Sequence, residues 1–284
     1  MSMADDLPKQ ILATWERMAP GWERWRDSIW QVSEHVGRQL VDAIDPKAGD
    51  TVLELAAGVG DTGFLACERI APDGQLISSD FSPAMVDAAR RRADELGISG
   101  VDFRVLDAQA LDLPDASVDG VLCRWGYMLM PDPEAALRET KRVLASKGRL
   151  AFSVWGSPEE NPWASIPART LVEAGHMDPP RADSPGIFAL ADPGRIDALA
   201  AAAGFEPPEI GEMPVLWTFE SFDDYWAFVL EKAGALSSVI LPLPQNEHEA
   251  VRESVRSALG TRAEGAFGLP GLCLNAVTRA PSAG

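Results

Sequence analysis

The chain has 284 residues, with 25 Lys and Arg against 43 Asp and Glu, a formal net charge of −18. That length supplies ample core for one large α/β domain, and 46% hydrophobic with 24% charged residues is ordinary for a soluble globular protein. The acidity argues against nucleic acid, three scattered cysteines (Cys67, Cys123, Cys273) build no disulfide or zinc framework, and neither a signal peptide nor a membrane-spanning run is expected, which leaves a cytoplasmic protein acting on a small molecule.

The first fifty residues read as mostly helical and carry Trp15, Trp22, Trp25 and Trp30, spaced so that several share one face. From residue 51 onward, short β-rich runs alternate with helical stretches. Strands are expected at 51–55, 75–79, 101–105, 117–123 and 149–154. Helices are expected at 61–70, from the DFSPAM segment to about Gly97, and at 133–144, ended by an SKG turn. Residues 156–190 are Pro-rich and irregular. An Ala-rich helix follows over 192–203, then a strand over 209–219, helices near 222–232 and 245–259, and a last strand at 272–278. This alternation predicts a doubly wound α/β fold: a mostly parallel, seven-stranded, Rossmann-like sheet with helices on both faces. The expected division is a helical cap over 1–50, a cofactor-binding core over 51–155, a lid insertion over 156–190, core again over 191–219, a helical lid over 220–268, and a last strand and tail over 269–284. Ligands are expected beyond the carboxyl ends of the strands.

Between the first strand and its helix, Gly58-Val59-Gly60-Asp61-Thr62-Gly63 spells G-x-G-x-x-G, with Asp80 about twenty residues on. Glycines let the backbone approach a ligand, and a carboxylate after the second strand accepts from ribose hydroxyls, so both dinucleotides and S-adenosylmethionine suit the pattern. Glu54, inside the strand before the turn, is unfavourable to a pyrophosphate and favourable to a cationic amino-acid moiety. Asp107-Ala108, after the third strand, stands where a carboxylate and a backbone N–H would meet an adenine edge.

The segments VLELAAGVGDTGFLA, ISSDFSPAMVDAAR, FRVLDAQALDLPDASVDGVLCRWGYMLMPDPEAALRETKRVL and KGRLAFSVW resemble, in unbroken order, the motifs of class I S-adenosylmethionine-dependent methyltransferases. The likeness is strongest to the branch of the ubiquinone/menaquinone-biosynthesis enzymes. It implies methyl transfer from S-adenosylmethionine to a small acceptor, with Glu54, Ala56, Gly58, Gly60, Asp80, Phe81, Asp107 and Ala108 at the cofactor; Arg124, at the end of the fourth strand, is expected to meet the cofactor's amino-acid end with its backbone. Ala56 stands where the family's turn has its first glycine, which puts a methyl on a backbone expected to be left-handed.

The acceptor is expected to be aromatic or lipophilic, with an oxygen, carbon or nitrogen nucleophile, under a lid that excludes water. Trp22, Trp125, Trp155 and Trp163 are the candidates to face it, against the plainer alternative that they are core. Tyr127 and His176 are the candidate catalytic groups, the latter competing with a histidine favoured at a helix C-terminus. An ionisable phenol or enol would need little general base. No metal-ligand set is visible. An NAD-dependent oxidoreductase and a non-catalytic S-adenosylmethionine-binding protein are the alternatives.

Overall fold

The computed structural model describes residues 3–181, 184–232 and 234–282. Seven strands form one sheet: β1 (Thr51–Glu54), β2 (Gln75–Asp80), β3 (Val101–Val105), β4 (Val118–Arg124), β5 (Leu144–Trp155), β6 (Glu209–Phe219) and β7 (Phe267–Arg279). Their order is β3-β2-β1-β4-β5-β7-β6. The first five are mutually parallel, and β7 runs antiparallel to both β5 and β6. The doubly wound, mostly parallel sheet is therefore present, with β7 alone reversed.

The helices are α1 (Met3–Ile44), α2 (Asp61–Ile70), α3 (Pro83–Leu96), α4 (Pro133–Val143), α5 (Pro162–Glu173), α6 (Pro193–Ala203), α7 (Phe222–Lys232), α8 (Gly234–Ile240) and α9 (Gln245–Leu259). Local chemistry starts and stops several of them. Ser82 caps α3 by accepting from Met85 N at 3.2 Å, Pro83 opens it, and Gly97 closes it at φ +67°. Asp132 and Asp192 cap α4 and α6 in the same way, each followed by proline. Leu40, Val41, Ile44, Phe64, Ile70, Leu76 and Leu122 form a compact core where α1 and α2 meet the sheet. A larger core runs from the other side of the sheet, under α4 and α6, into α5, α7 and α9.

Two expectations are corrected. The 156–190 stretch is not simply irregular: it contains the 12-residue α5. The SKG turn is absorbed into β5, which begins at Leu144 and passes through a register shift, with Lys147 at φ +64°. No described helix is long and apolar enough to cross a membrane.

The long α1 bridges two regions. On one flank Glu23 pairs with Arg91 at 2.8 Å and Glu16 accepts from Ser82 Oγ and Ala84 N at the start of α3. On the other, Arg24 and Trp25 Nε1 donate to Glu231 of α7 at 2.7 and 2.6 Å, and Arg17 donates to Ser238 of α8 at 2.8 Å.

Candidate functional site

The turn after β1 takes three left-handed residues in five: Ala56 at φ +50°, Gly58 at +56° and Gly60 at +87°. Ala56 thus keeps the geometry expected of glycine, and its methyl is tolerated because Gly126 stands opposite; a Cβ there would collide with the Ala56 Cβ. The turn is pinned from β2, where Asp80 Oδ2 accepts from Gly58 N and Oδ1 from Ser82 N, both at 2.9 Å. Burial raises the Asp80 carboxyl above its usual range, against the backbone N–H groups that lower it. A Cβ on Gly58 would meet no atom within 4 Å, so this glycine faces open space.

Glu54 lies elsewhere than its expected role requires. Its side chain turns beneath α2, accepts from Gly63 N at 2.9 Å and is 2% exposed. Gly63 is glycine because a Cβ there would strike the Glu54 carboxyl. Burial pushes the Glu54 pKa up to about 8, the Gly63 hydrogen bond and the nearby Arg124 opposing the shift. The carboxyl is thereby tied to the first turn of α2, directly beneath the glycine turn.

Phe81 follows β2 and is half-buried. After β3, Asp107 Oδ1 accepts from Gln109 N and Nε2 at 2.9 and 3.1 Å, which leaves Oδ2 with no partner among the described residues. Ala108 beside it is buried. At the end of β4, Arg124 donates from Nε to Thr62 Oγ1 in the first turn of α2 at 2.8 Å and lies 4.6 Å over the Trp125 ring. Trp125 is itself left-handed, at φ +61°, a costly conformation for a bulky residue and one that clusters at functional sites. It is held by stacking on Trp155 at 4.4 Å and by Nε1 donating to Cys273 Sγ at 3.2 Å.

From there an aromatic wall continues. Trp155 meets Trp163 at 4.9 Å, Trp163 meets Trp217 at 5.2 Å, and Trp217 meets Phe228 at 4.9 Å, with Trp25 of α1 6.0 Å beyond. Trp125, Trp155 and Trp217 sit at the carboxyl ends of β4, β5 and β6, and Trp163 and Phe228 close over them from α5 and α7. Three of the four expected tryptophans are thus brought together. Trp22 is half-buried on α1 against Trp15, at 6.1 Å. Trp217 and Phe228 escaped the sequence analysis because they lie beyond the motif-bearing half of the chain.

Neither candidate catalytic group reaches this region. Tyr127 is fully buried, its hydroxyl bonded to Thr140 Oγ1 at 2.6 Å and its ring against Phe152 at 5.2 Å. Burial raises its pKa well above the phenolic range. His176 lies past the far end of α5, with Nδ1 3.7 Å from Glu247 Oε2 of α9. A 12-residue helix of about 18 Å separates it from Asn161 and the aromatic wall.

A strand order of 3-2-1-4-5-7-6 with one reversed strand and a glycine turn after β1 defines the class I methyltransferase architecture. The model of a methyltransferase domain matches residues 46–173. The chain is 33% identical over 177 residues to the demethylmenaquinone methyltransferase of Thermus thermophilus, covering 59% of this chain and 80% of that one. It is 32% identical over 187 residues to the nocamycin O-methyltransferase of Saccharothrix syringae, covering 62% and 67%. With some other curated relatives the match spans only about half of their length. The fold resembles that of the YcgJ protein of Bacillus subtilis, with a TM-score of 0.60 at 18% identity over 88% of this chain and all of that one. The chain belongs to the class I S-adenosylmethionine-dependent methyltransferases, in the branch of the ubiquinone/menaquinone-biosynthesis enzymes. Its cofactor is S-adenosylmethionine, and the glycine turn is not that of an NAD enzyme.

Proposed function

We propose that this enzyme methylates an oxygen, carbon or nitrogen nucleophile on a small aromatic or lipophilic acceptor held against the tryptophan wall. The observation that supports the acceptor class is that cluster: Trp125, Trp155, Trp163, Trp217 and Phe228 pack ring against ring at the ligand end of the sheet, each buried to 3–7% exposure. The two relatives named above act on dissimilar acceptors by their names, so similarity alone does not choose among them.

Bound S-adenosylmethionine supplies a methyl already activated by its positive sulfur. What remains for the protein is to bind, to align and to exclude water. The site residues fit the cofactor. Gly58 presents an open backbone face, with Ala56 and Gly60 completing the turn. Each Asp80 oxygen keeps a further lone pair for a ribose hydroxyl after its backbone bond. In this assignment Asp107 Oδ2 accepts from the adenine amino group, Ala108 flanks the ring edge, Phe81 packs on its face, and Arg124 serves the amino-acid end. Glu54 acts indirectly, by shaping the turn from below.

Residues 1–50, 156–190 and 220–268 are assigned as the cover, and 51–155, 191–219 and 269–284 as the core. With Tyr127 in the core and His176 beyond α5, no general base is assigned. An acceptor whose hydroxyl ionises near neutral pH meets that condition.

Titration calorimetry with S-adenosylhomocysteine tests the cofactor site. Wild type is expected to bind, and Asp80→Ala to bind about 10- to 100-fold more weakly, the worth of one or two charge-assisted hydrogen bonds. No binding by wild type would sink the assignment. Product masses from a panel of quinols, phenols, alkyl acids and amines then test the acceptor class; turnover confined to non-aromatic, polar acceptors would overturn it.

A further inference from the structure

The start of α3 is completed by a side chain from another helix. Pro83 brings no N–H, so Ala84 N is the first amide of α3, and its own helix has no acceptor for it. Glu16 of α1 supplies one: its Oε1 accepts from Ala84 N at 3.1 Å and from the Ser82 hydroxyl. Ser82 is fully buried, and its backbone N donates to Asp80 Oδ1 at 2.9 Å. A single residue thus stands between the ribose acid and α1. The next residue of α1 faces another way: Arg17 donates to Ser238 Oγ of α8 at 2.8 Å. Within one turn, α1 therefore grips the cofactor side of the molecule and the helical cover.

The rest of α1 is anchored differently, with Leu40, Val41 and Ile44 buried in the core against the sheet. Between the two parts stand Pro20 and Gly21. Pro20 has no N–H for Glu16 O one turn back, so the helix lacks a rung there, a common site of bending. Gly21 rests on α7, where a Cβ would lie 2.5 Å from Glu231 O. Beside Pro20 the seam between α1 and α3 opens into a cavity of about 180 Å³, lined also by Ala19, Glu23, Asp87 and Arg91. Residues 9–19 are thus an arm with its weak rung at Pro20, fastened to α3 and α8 by polar contacts of modest individual strength.

We propose that Glu16 is a positioning residue that couples cofactor occupancy at Asp80 to closure of this arm on α3 and α8. The inference rests on the cofactor site assigned above and concerns residues outside it. Its driving force is electrostatic. Two carboxylates share the first turn of α3; burial chiefly, and Glu16 in addition, raise the Asp80 carboxyl above its usual range. Ribose hydroxyls donating to Asp80 stabilise its charge and lessen the repulsion felt by Glu16. The loaded enzyme therefore favours the fastened arm, and a fastened arm holds the cofactor longer.

Hydrogen exchange of the full chain, with and without saturating S-adenosylhomocysteine, tests the coupling. In wild type the ligand is expected to slow exchange about 5- to 10-fold across 9–19 and 234–240, neither of which holds a cofactor residue. Glu16→Ala is expected to keep ligand protection across 52–63 and to lose it across the other two segments. Glu16→Gln keeps an oxygen for Ala84 N and Ser82 Oγ, and is expected to restore part of the effect. A merely structural contact would quicken exchange with and without ligand alike, so an unchanged ratio in Glu16→Ala overturns the proposal. Wild type protected across 52–63 but not across 234–240 overturns it too, whether or not Glu16→Ala folds. Absence of protection across 52–63 in wild type overturns the cofactor site itself, and the coupling with it.

Discussion

Glu54 ties the pH dependence of stability to the shape of the cofactor turn. The unfolded chain releases this proton near the ordinary value of 4.5 and the folded chain near 8, so between those limits the folded state holds more proton. Stability from this group therefore falls as pH rises through that interval, by up to about 5 kcal/mol, and levels off above it. Glu54→Gln keeps an oxygen for Gly63 N–H and removes the titration. Urea unfolding at pH 5.5 and 8.5 should show a steep loss in wild type and a flatter one in the variant. Equal pH slopes would mean that Glu54 is charged in the folded protein. Tyr127 offers the opposite test. Because its hydroxyl serves Thr140 inside the core, Tyr127→Phe should cost about 1 kcal/mol of stability and leave kcat and KM unchanged. A tenfold fall in kcat with normal stability would return Tyr127 to the site.

Among the elements, those set by local chemistry were legible in the sequence and those set by distant contacts were not. The glycine turn, the Ser82-Pro83 and Asp132-Pro133 helix starts and the apolar strands carry their own signals, and the expected boundaries of α2, β3 and β6 coincide with those observed. The helix α5 hid behind its prolines. Pro167 lacks the N–H that would bond Trp163 O one turn back, and that carbonyl accepts instead from Tyr225 Oη of α7 at 2.8 Å. No local pattern reveals a replacement donor 62 residues away. The motifs likewise placed Asp80 and Glu54 in order along the chain, but not the direction of the Glu54 side chain, which depends on the bare Cα of Gly63. The bridging position of α1 has a similar origin. Gly21 packs so tightly that a Cβ would lie 2.5 Å from Glu231 O. Gly21→Val should push α1 from α7, costing about 1–3 kcal/mol, and hydrogen exchange across 15–30 should quicken while that of β1 and β4 does not. Unchanged exchange in α1 would show that this contact does not hold the helix down.

At the scale of the whole molecule, ion pairs such as Glu23–Arg91 and Asp61–Arg92 leave the net charge of −18 untouched, because acids outnumber the available cations. Self-repulsion of the excess should dominate at low salt. Raising NaCl from about 20 to about 300 mM should lift the melting temperature by a few degrees as screening shortens the reach of that field. A fall would mean that the surface pairs outweigh the repulsion. The sheet order has a consequence in time. β7 is the last strand of the chain, yet it lies between β5 and β6 and supplies the ladder partners of both. During synthesis β5 waits as an open edge while some 120 further residues emerge, about 6–25 s at ordinary ribosomal speeds. Until β7 slots in, β6 has no neighbour in the sheet, and the Trp155 and Trp217 sides of the aromatic wall are not yet tied together. The nascent chain can thus complete its turn and the five parallel strands well before the two outer strands join them. A ribosome stalled near residue 250 should display a half-sheet with an adhesive edge, the form of this protein most exposed to aggregation.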